Sequence, residues 1–153
     1  MNKIVVGADH GGFALKDELK RFLQRRGYYV KDVGTYSQQR CDYPAIAYAA
    51  AKEVSAGRYP RAVIICKSGI GNSIVANKLP RVRAALCYNV KAARLSRQHN
   101  DSNVLALGSM FVDVPLAKRI LAAWLSTEFE GGRHLKRLRQ IREIEEGIRC
   151  GAK

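Results

Sequence analysis

The chain has 153 residues, 47% of them hydrophobic, which is typical of one globular domain and argues against a disordered chain. The longest apolar runs are too short to cross a membrane. The formal net charge is +14, and the segment from Val54 to Asn100 contains no Asp or Glu. This charge favours an anionic partner, either a phosphorylated metabolite or a nucleic acid.

The four cysteines show neither a CxxC motif nor a Cys/His spacing typical of a metal site. Cys66 and Cys87 end apolar runs, where small buried thiols are common, so a disulfide framework is not expected. The apolar run before Asp9 is too short for the core of a signal peptide. We therefore expect a soluble, cytoplasmic protein with reduced thiols.

Strands and helices alternate along the predicted chain. The apolar pattern predicts strands at residues 3–8, 28–33, 61–66, 82–86 and 103–107. Helical spacing predicts helices at 13–26, 42–55, 73–78, 90–98 and 114–126, with Asp42 and Ser73 as caps and Lys16 on a polar face. This order predicts one α/β domain, residues 1–153, with a five-stranded parallel sheet and helices on both faces.

A last helix is predicted at residues 133–149. Its apolar side chains form a thin stripe: Leu135, Leu138, Ile141, Ile144 and Ile148. So narrow an apolar face does not suit a core helix, so we expect this helix to protrude and to pack on a second subunit.

The junction after the third strand is the strongest candidate for chemistry. Cys66 ends that strand and is followed by Lys67, Ser68 and a glycine-containing loop, Gly69-Ile70-Gly71. Ligands bind beyond the carboxyl ends of parallel strands, and a loop of backbone N–H groups favours an anion and a thiolate. The alternatives are a buried core thiol for Cys66 and a simple turn for Ser68.

Other candidates each have a structural alternative. Asp9 and His10 end the first strand on the same side as Cys66, although Asp9 could instead cap the next helix. His99 and Asn100 precede the fifth strand, which places them at the opposite end of the sheet from Cys66 and suits ordinary capping, unless a second subunit brings them to the crevice. Arg133 and Arg137 share one helix face and could bind a phosphate or form a solvated basic surface.

Several motifs together resemble the type B ribose-5-phosphate isomerase family over essentially the whole chain. They are Gly7-Ala8-Asp9-His10-Gly11-Gly12, Asp42-Tyr43-Pro44, Cys66 with Ser68-Gly69-Ile70-Gly71, Ala76-Asn77-Lys78, residues 95–101, residues 103–109 and Glu130-Gly131-Gly132-Arg133-His134. Relatives in this family act on allose 6-phosphate and galactose 6-phosphate.

The resemblance implies a Rossmann-like three-layer α/β/α subunit in a homodimer or tetramer with active sites shared between two chains. It implies interconversion of D-ribose 5-phosphate and D-ribulose 5-phosphate through an enediolate, in the non-oxidative pentose phosphate pathway, with no cofactor and no metal. Cys66 would be the base, the backbone of Lys67 to Gly71 would stabilise the enediolate, and Ser68, Asp9 and His99 would assist ring opening. The phosphate would be held by His10, Arg133 and Arg137, and the partner subunit would supply His99 and Asn100.

Three residues differ from the family pattern. Lys67 stands where the cysteine-containing branch has Gly, Met110 where many members have an Arg for phosphate, and Asn72 where another branch has a catalytic Glu. Two alternative functions remain: isomerisation of a six-carbon sugar phosphate, and non-catalytic binding of nucleic acid or sugar phosphate. The chain lacks helix-turn-helix, RRM and zinc-binding signatures, which disfavours a nucleic-acid partner.

Overall fold

The structure is a computed structural model that describes residues 2–151. The single domain predicted over 1–153 also includes residues 1, 152 and 153, which lie outside the described residues. The strands are β1 (Lys3–Ala8), β2 (Tyr29–Asp32), β3 (Ala62–Cys66), β4 (Ala84–Leu86) and β5 (Val104–Gly108). The helices are α1 (Phe13–Arg25), α2 (Tyr43–Ser55), α3 (Ile70–Ala76), α4 (Val90–Asn100), α5 (Val114–Ser126) and α6 (Gly132–Gly151).

The five strands form one parallel sheet in the order β2-β1-β3-β5-β4. The chain moves from β1 to one side for β2 and then to the other side for β3. The boundary between β1 and β3 is therefore the switch point at which sheets of this class bind ligands. The predicted α/β fold with a five-stranded parallel sheet and a separate C-terminal helix is confirmed.

Alternate residues of each strand face two separate cores. In β3, Val63 and Ile65 join the core beneath α1, α4 and α5, while Ala62 and Ile64 join the core beneath α2 and α3. Every residue of β3 and β5 is buried, as expected for strands covered on both faces. This packing gives the predicted three layers.

The prediction that Lys16 lies on a polar face of α1 is wrong. Its side chain is 1% exposed, and Nζ lies 2.8 Å from the Asp32 carboxylate and 2.6 Å from the carbonyl oxygen of Thr35. Burial alone would raise the pKa of Asp32, but hydrogen bonds from Lys16 and Lys20 outweigh it and lower that pKa. Lys16 is thus buried because its long side chain reaches an ion-pair partner at the end of β2.

Helix ends account for most of the remaining differences. Ser73 does not cap α3, because this helix begins at Ile70 after Gly69 in the left-handed region (φ +79°), and the Ser73 hydroxyl instead donates to the Ile70 carbonyl. Asp42 occupies the N-cap position of α2 but makes no side-chain capping bond. Helix α4 continues to Asn100, so His99 lies in its last turn rather than in a loop.

Helix α6 leaves most of its apolar residues uncovered. His134 is its one buried residue within the described chain, while Ile141, Ile144 and Ile148 are 49%, 63% and 69% exposed. A groove of about 1600 Å³ runs between this helix and the segments around Tyr59, Val82 and Ala84. Among residues 2–151, no helix is long and apolar enough to cross a membrane.

Candidate active site

Two loops meet at the switch point between β1 and β3. Ala8 of β1 pairs with Ile65 of β3, so Asp9, which follows β1, and Cys66, which ends β3, lie at neighbouring strand ends. The Asp9 N–H donates to the Ile65 carbonyl at 3.2 Å, which ties the two loops together. This edge of the sheet therefore gathers Asp9, His10, Cys66 and the glycine loop, as the sequence predicts.

The sulfur of Cys66 lies inside the turn that it begins. Cys66 is 5% exposed, and its Sγ accepts a hydrogen bond from the Gly69 N–H at 3.1 Å. Gly69 must be glycine, because φ is +79° and a Cβ would come within 2.8 Å of the Leu107 carbonyl carbon. A backbone N–H group of the glycine loop therefore holds the Cys66 sulfur in place.

Cys87, in contrast, has surroundings that suit an inert thiol. It is 1% exposed within the core beneath α1, α4 and α5. Burial raises the pKa of its thiol to about 11, with a smaller opposing effect from a hydrogen bond with Ser96. Cys87 therefore stays protonated at neutral pH, in agreement with the expectation of a buried structural thiol.

The rest of the glycine loop packs closely around Cys66. The Ile70 N–H donates to Ser68 Oγ at 3.2 Å, and the Ser68 carbonyl accepts from the hydroxyl of Tyr88 at 3.0 Å. At Gly71 a Cβ would come within 2.5 Å of the Tyr43 ring, so the ring rests on the loop backbone. Ser68 therefore does close the turn, while its side chain is only partly buried.

Asp9 and His10 are both held by backbone groups. The Asp9 side chain is nearly buried, and Oδ1 accepts from the Gly12 N–H at 3.0 Å just before α1. His10 Nδ1 lies 3.3 Å from the backbone nitrogen of Cys41 and 3.2 Å from its carbonyl oxygen. Asp9 is not the N-cap of α1, which is Gly12 without a side-chain capping bond, but its bond to the Gly12 N–H fixes the carboxylate beside the Cys66 loop.

Lys67 lies at the rim of the same crevice. Its stem packs over the first turn, since a Cβ at Gly11 would come within 2.5 Å of Lys67 Cγ. The side chain is exposed, and its amino group forms no ion pair with any residue between 2 and 151. The Met110 N–H donates to the Lys67 carbonyl at 3.0 Å, so two of the three positions that differ from the family pattern are neighbours.

The remaining predicted residues form a second group at the other end of the sheet. His99 and Asn100 end α4, which leads into the start of β5, whereas Cys66 lies at the end of β3 beside Gly108, the last residue of β5. Arg133 and Arg137 lie in the first turns of α6, and both side chains are exposed. Within one chain the structure therefore does not bring these four residues to Cys66.

Two further residues, Glu130 and His134, adjoin His99. The rings of His99 and His134 stack with centroids 4.2 Å apart, and Glu130 Oε2 lies 3.9 Å and 3.7 Å from their Nε2 atoms. The sequence placed both residues in a motif but assigned neither a role. The signal that could have found them is the spacing of four between Glu130, just before the last helix, and His134, in its first turn.

This cluster has the residue types of a metal site but not its geometry. The donor atoms of His99, Glu130 and His134 lie within 4.8 Å of one another, whereas ligands of one tetrahedral zinc lie about 3.3 Å apart. The two rings are within 9° of parallel, so their nitrogens do not converge on one point. Arg133 Nε, 3.4 Å from His134 Nε2, adds a positive charge that opposes a cation.

Asn72 is buried just beyond the glycine loop. It is 2% exposed, and its Oδ1 is the one buried side-chain polar atom in the described part of the chain without a hydrogen-bond partner. It lies one helical turn before Ala76, which packs in the core beneath α2 and α3. Asn72 thus carries an uncompensated polar group into a packed interface.

The chain also matches a known protein family. Residues 4–141 match the family described as Ribose/Galactose Isomerase. The chain is 48% identical to ribose-5-phosphate isomerase B of Escherichia coli over 146 residues, which cover 95% of this chain and 98% of that protein.

Solved structures of ribose-5-phosphate isomerases B also match this chain. Ribose-5-phosphate isomerase B of Clostridium thermocellum matches with a TM-score of 0.94 and 48% identity, over 95% of this chain and 99% of that chain. The Mycoplasma genitalium ribose-5-phosphate isomerase B, solved with bound ribulose 5-phosphate, matches with a TM-score of 0.91 and 36% identity, over 94% and 96% of the two chains. The chain therefore belongs to the ribose/galactose isomerase family.

Proposed function

We propose that this chain is a cofactor-independent aldose–ketose isomerase that interconverts D-ribose 5-phosphate and D-ribulose 5-phosphate. The observation that carries this proposal is the position of Cys66 at the switch point of the sheet. There its sulfur accepts a hydrogen bond from the Gly69 N–H. The similarity to ribose-5-phosphate isomerases B at 48% identity supports the pentose over a six-carbon sugar. A phosphorylated sugar as substrate fits a cytoplasmic enzyme.

The proposed reaction moves one proton between adjacent carbons. The Cys66 thiolate removes the proton from C2 of the open-chain aldose, and the electrons form an enediolate. The same thiol returns the proton to C1, while a proton passes from O2 to O1, so nothing is consumed. A base near the reacting carbons and N–H donors at the developing negative charge are what this chemistry requires.

The loop after Cys66 supplies hydrogen-bond donors for the sulfur of Cys66 and for the oxygen of the enediolate. Gly69 N–H bonds the sulfur and Ile70 N–H bonds Ser68 Oγ, so both are already engaged within the loop. We assign the enediolate oxygen to the other N–H groups of the segment, those of Lys67, Ser68 and Gly71. Asp9, Ser68 and His99 then open the sugar ring and carry protons between its oxygens.

A second copy of the chain completes the site. Cys66 and the His99 group lie at opposite ends of the sheet within one chain, so His99, Asn100, Arg133 and Arg137 act in the crevice of a partner. There the two arginines, together with His10 and Lys67, bind the phosphate through charge-assisted hydrogen bonds.

The uncovered face of α6 supports a homodimer. Its exposed isoleucines border an apolar groove of about 1600 Å³, which a second copy would fill. A homodimer is the commonest arrangement that places the same residue of two chains in reciprocal contact.

The test is isomerisation of ribose 5-phosphate and allose 6-phosphate, measured side by side with the purified chain and its Cys66→Ala variant. We expect turnover of the pentose, reduced at least about 10²-fold in the variant, because general-base catalysis contributes about that much or more. Turnover of the hexose alone would assign the chain to the six-carbon specificity. Absence of both activities in a folded protein would overturn the proposal.

A further inference from the structure

The imidazole rings of His99 and His134 lie face to face. Their centroids are 4.2 Å apart and the ring planes differ by 9°. His134 comes from the first turn of α6 and is 4% exposed, whereas the His99 side chain, in the last turn of α4, is 35% exposed. The buried ring of His134 therefore covers one side of a histidine that is otherwise open to solvent.

Glu130 joins both rings to the end of α4. Its Oε2 lies 3.9 Å from His99 Nε2 and 3.7 Å from His134 Nε2. Its backbone N–H donates to the Gln98 carbonyl at 3.1 Å, so the chain before α6 is attached to the residue that precedes His99. The backbone hydrogen bond thus attaches the segment before α6 to the end of α4, and the carboxylate lies within ion-pair distance of both rings.

The charges around His134 favour its neutral form. Burial lowers the pKa of His134, and the nearby His99, Arg133 and Arg137 lower it further, against a smaller opposite effect of Glu130. A neutral ring stacked on His99 does not repel a protonated His99, and its aromatic face attracts a cation. The pair can therefore keep its geometry while His99 gains and loses a proton.

We infer that Glu130 and His134 are positioning residues that hold the His99 ring for opening of the sugar ring. This inference rests on the proposed function. In ring opening the C1–O4 bond breaks, the O1 hydroxyl loses a proton, O4 gains one, and C1 becomes an aldehyde. A half-exposed side chain at a helix end samples several rotamers, so fixing it brings the proton donor close to O4 at a lower entropic cost.

Ribulose 5-phosphate makes the inference testable, because it has no ring to open. Its O5 carries the phosphate, so the ketose is acyclic. In deuterated water, exchange of a C1 proton of ribulose 5-phosphate requires the Cys66 step but not ring opening. Turnover of ribose 5-phosphate requires both steps, and comparing the two rates separates them.

The variants are His134→Ala, which removes the stacked ring, His134→Phe, which keeps an aromatic face, and Glu130→Gln, which keeps the shape and the backbone hydrogen bond. For His134→Ala we expect turnover of ribose 5-phosphate to fall about tenfold or more, a part of what general acid–base catalysis contributes. Deuterium exchange into ribulose 5-phosphate should stay within about twofold of the wild type, since the base is untouched.

The controls interpret each outcome. His134→Phe should recover most of the turnover, Glu130→Gln should show the same split between the two rates, and Cys66→Ala should lose both rates. Equal losses of turnover and exchange in His134→Ala, or unchanged turnover, would overturn the inference. If the wild type itself shows neither turnover nor exchange, the proposed function fails first.

Discussion

Asn72 is a polar residue whose buried surroundings offer its side-chain oxygen no hydrogen bond. Its Oδ1 is buried without a partner, whereas the side chain of Asn77, on the same segment, bonds both the N–H and the carbonyl of Ala84, at 2.8 Å and 3.0 Å. Leaving a buried polar atom unpaired costs about 1–3 kcal/mol. The two asparagines can therefore be compared directly: the side-chain oxygen of Asn72 lacks a hydrogen bond, and the side chain of Asn77 forms two.

Replacing each asparagine by leucine should change stability in opposite directions. We expect Asn72→Leu to raise the free energy of unfolding by about 1 kcal/mol, because it replaces a buried amide whose oxygen has no partner by an apolar group of similar size. Asn77→Leu should lower it by about 1 kcal/mol through the loss of two hydrogen bonds. Urea denaturation of both variants measures this, and a loss of stability in Asn72→Leu would contradict the account.

At the residue scale, the position of a residue is predicted correctly where it depends only on local pattern and strand order. Cys66 ends β3 and Asp9 follows the end of β1, and both positions follow from the order of strands alone. The burial of Lys16 and the stacking of His134 on His99 depend on partners 16 and 35 residues away, Asp32 and His99 respectively. Periodicity and spacing carry no information about such partners.

At the scale of elements, every predicted strand and helix is present, and the differences concern their ends. The start of α3 was missed because a glycine with φ +79° begins it, packed on Leu107 and Gly108 of β5, rather than a side-chain cap. Asp101, with φ +44°, ends α4 and accepts Arg97 and Arg83 on its carboxylate. Both boundaries are set by tertiary contacts that a local pattern does not contain.

Helix α6 gives a prediction about assembly. Ile144 is 63% exposed beside the apolar groove, whereas its neighbour Glu143 does not line the groove. Ile144→Arg should weaken dimerisation at least about 100-fold, because each of two copies loses about 1.5–3 kcal/mol of apolar burial. Light scattering across a concentration series measures this.

The matched control for the interface is Glu143→Arg, which places the same side chain one residue away. It should leave the association unchanged. The monomeric Ile144→Arg variant should keep its far-UV circular dichroism and lose activity, because its crevice lacks the partner's residues. A dimer of unchanged affinity would contradict the role given to α6.

A second element-scale prediction concerns acid stability. Glu53 of α2 pairs with Arg58 at 2.9 Å and with Lys31 of β2 at 3.1 Å. The hydrogen bond from Arg58, followed by that from Lys31, lowers the pKa of Glu53 from 4.5 to about 2 against the opposing effect of burial. A lowered folded pKa means that ionised Glu53 stabilises the fold above about pH 4.5, and this stabilisation is lost as the pH falls towards 2.

Thermal melts of the wild type and Glu53→Gln across pH measure this contribution. At pH 6 we expect the variant to be less stable by about 1 kcal/mol, a modest value because solvent screens both partners. The difference should shrink between pH 4.5 and pH 2 as Glu53 is protonated. A difference in stability that grows on acidification would contradict the assignment. The control is Glu143→Gln, because Glu143 forms no ion pair among residues 2–151.

At the scale of the whole molecule, the fold and the family follow from sequence, and the residues proposed for the site do not meet within one chain. The sequence places Cys66 and His99 at opposite ends of parallel strands, and the structure has them there. In the proposed site a second copy joins them, and no local pattern of one chain describes how two copies meet. The net charge of +14 suits a phosphorylated substrate but does not identify it.

The central claim is that one active site uses Cys66 of one chain and His99 of another, and complementation of two inactive variants tests it most directly. Mixing Cys66→Ala with His99→Asn and allowing subunits to exchange produces hybrid dimers, verified by native mass spectrometry. Half of the dimers are hybrids with one intact site, so about a quarter of the wild-type isomerisation of ribose 5-phosphate should return. Complete exchange without activity above that of the separate variants would show that the site lies within one chain.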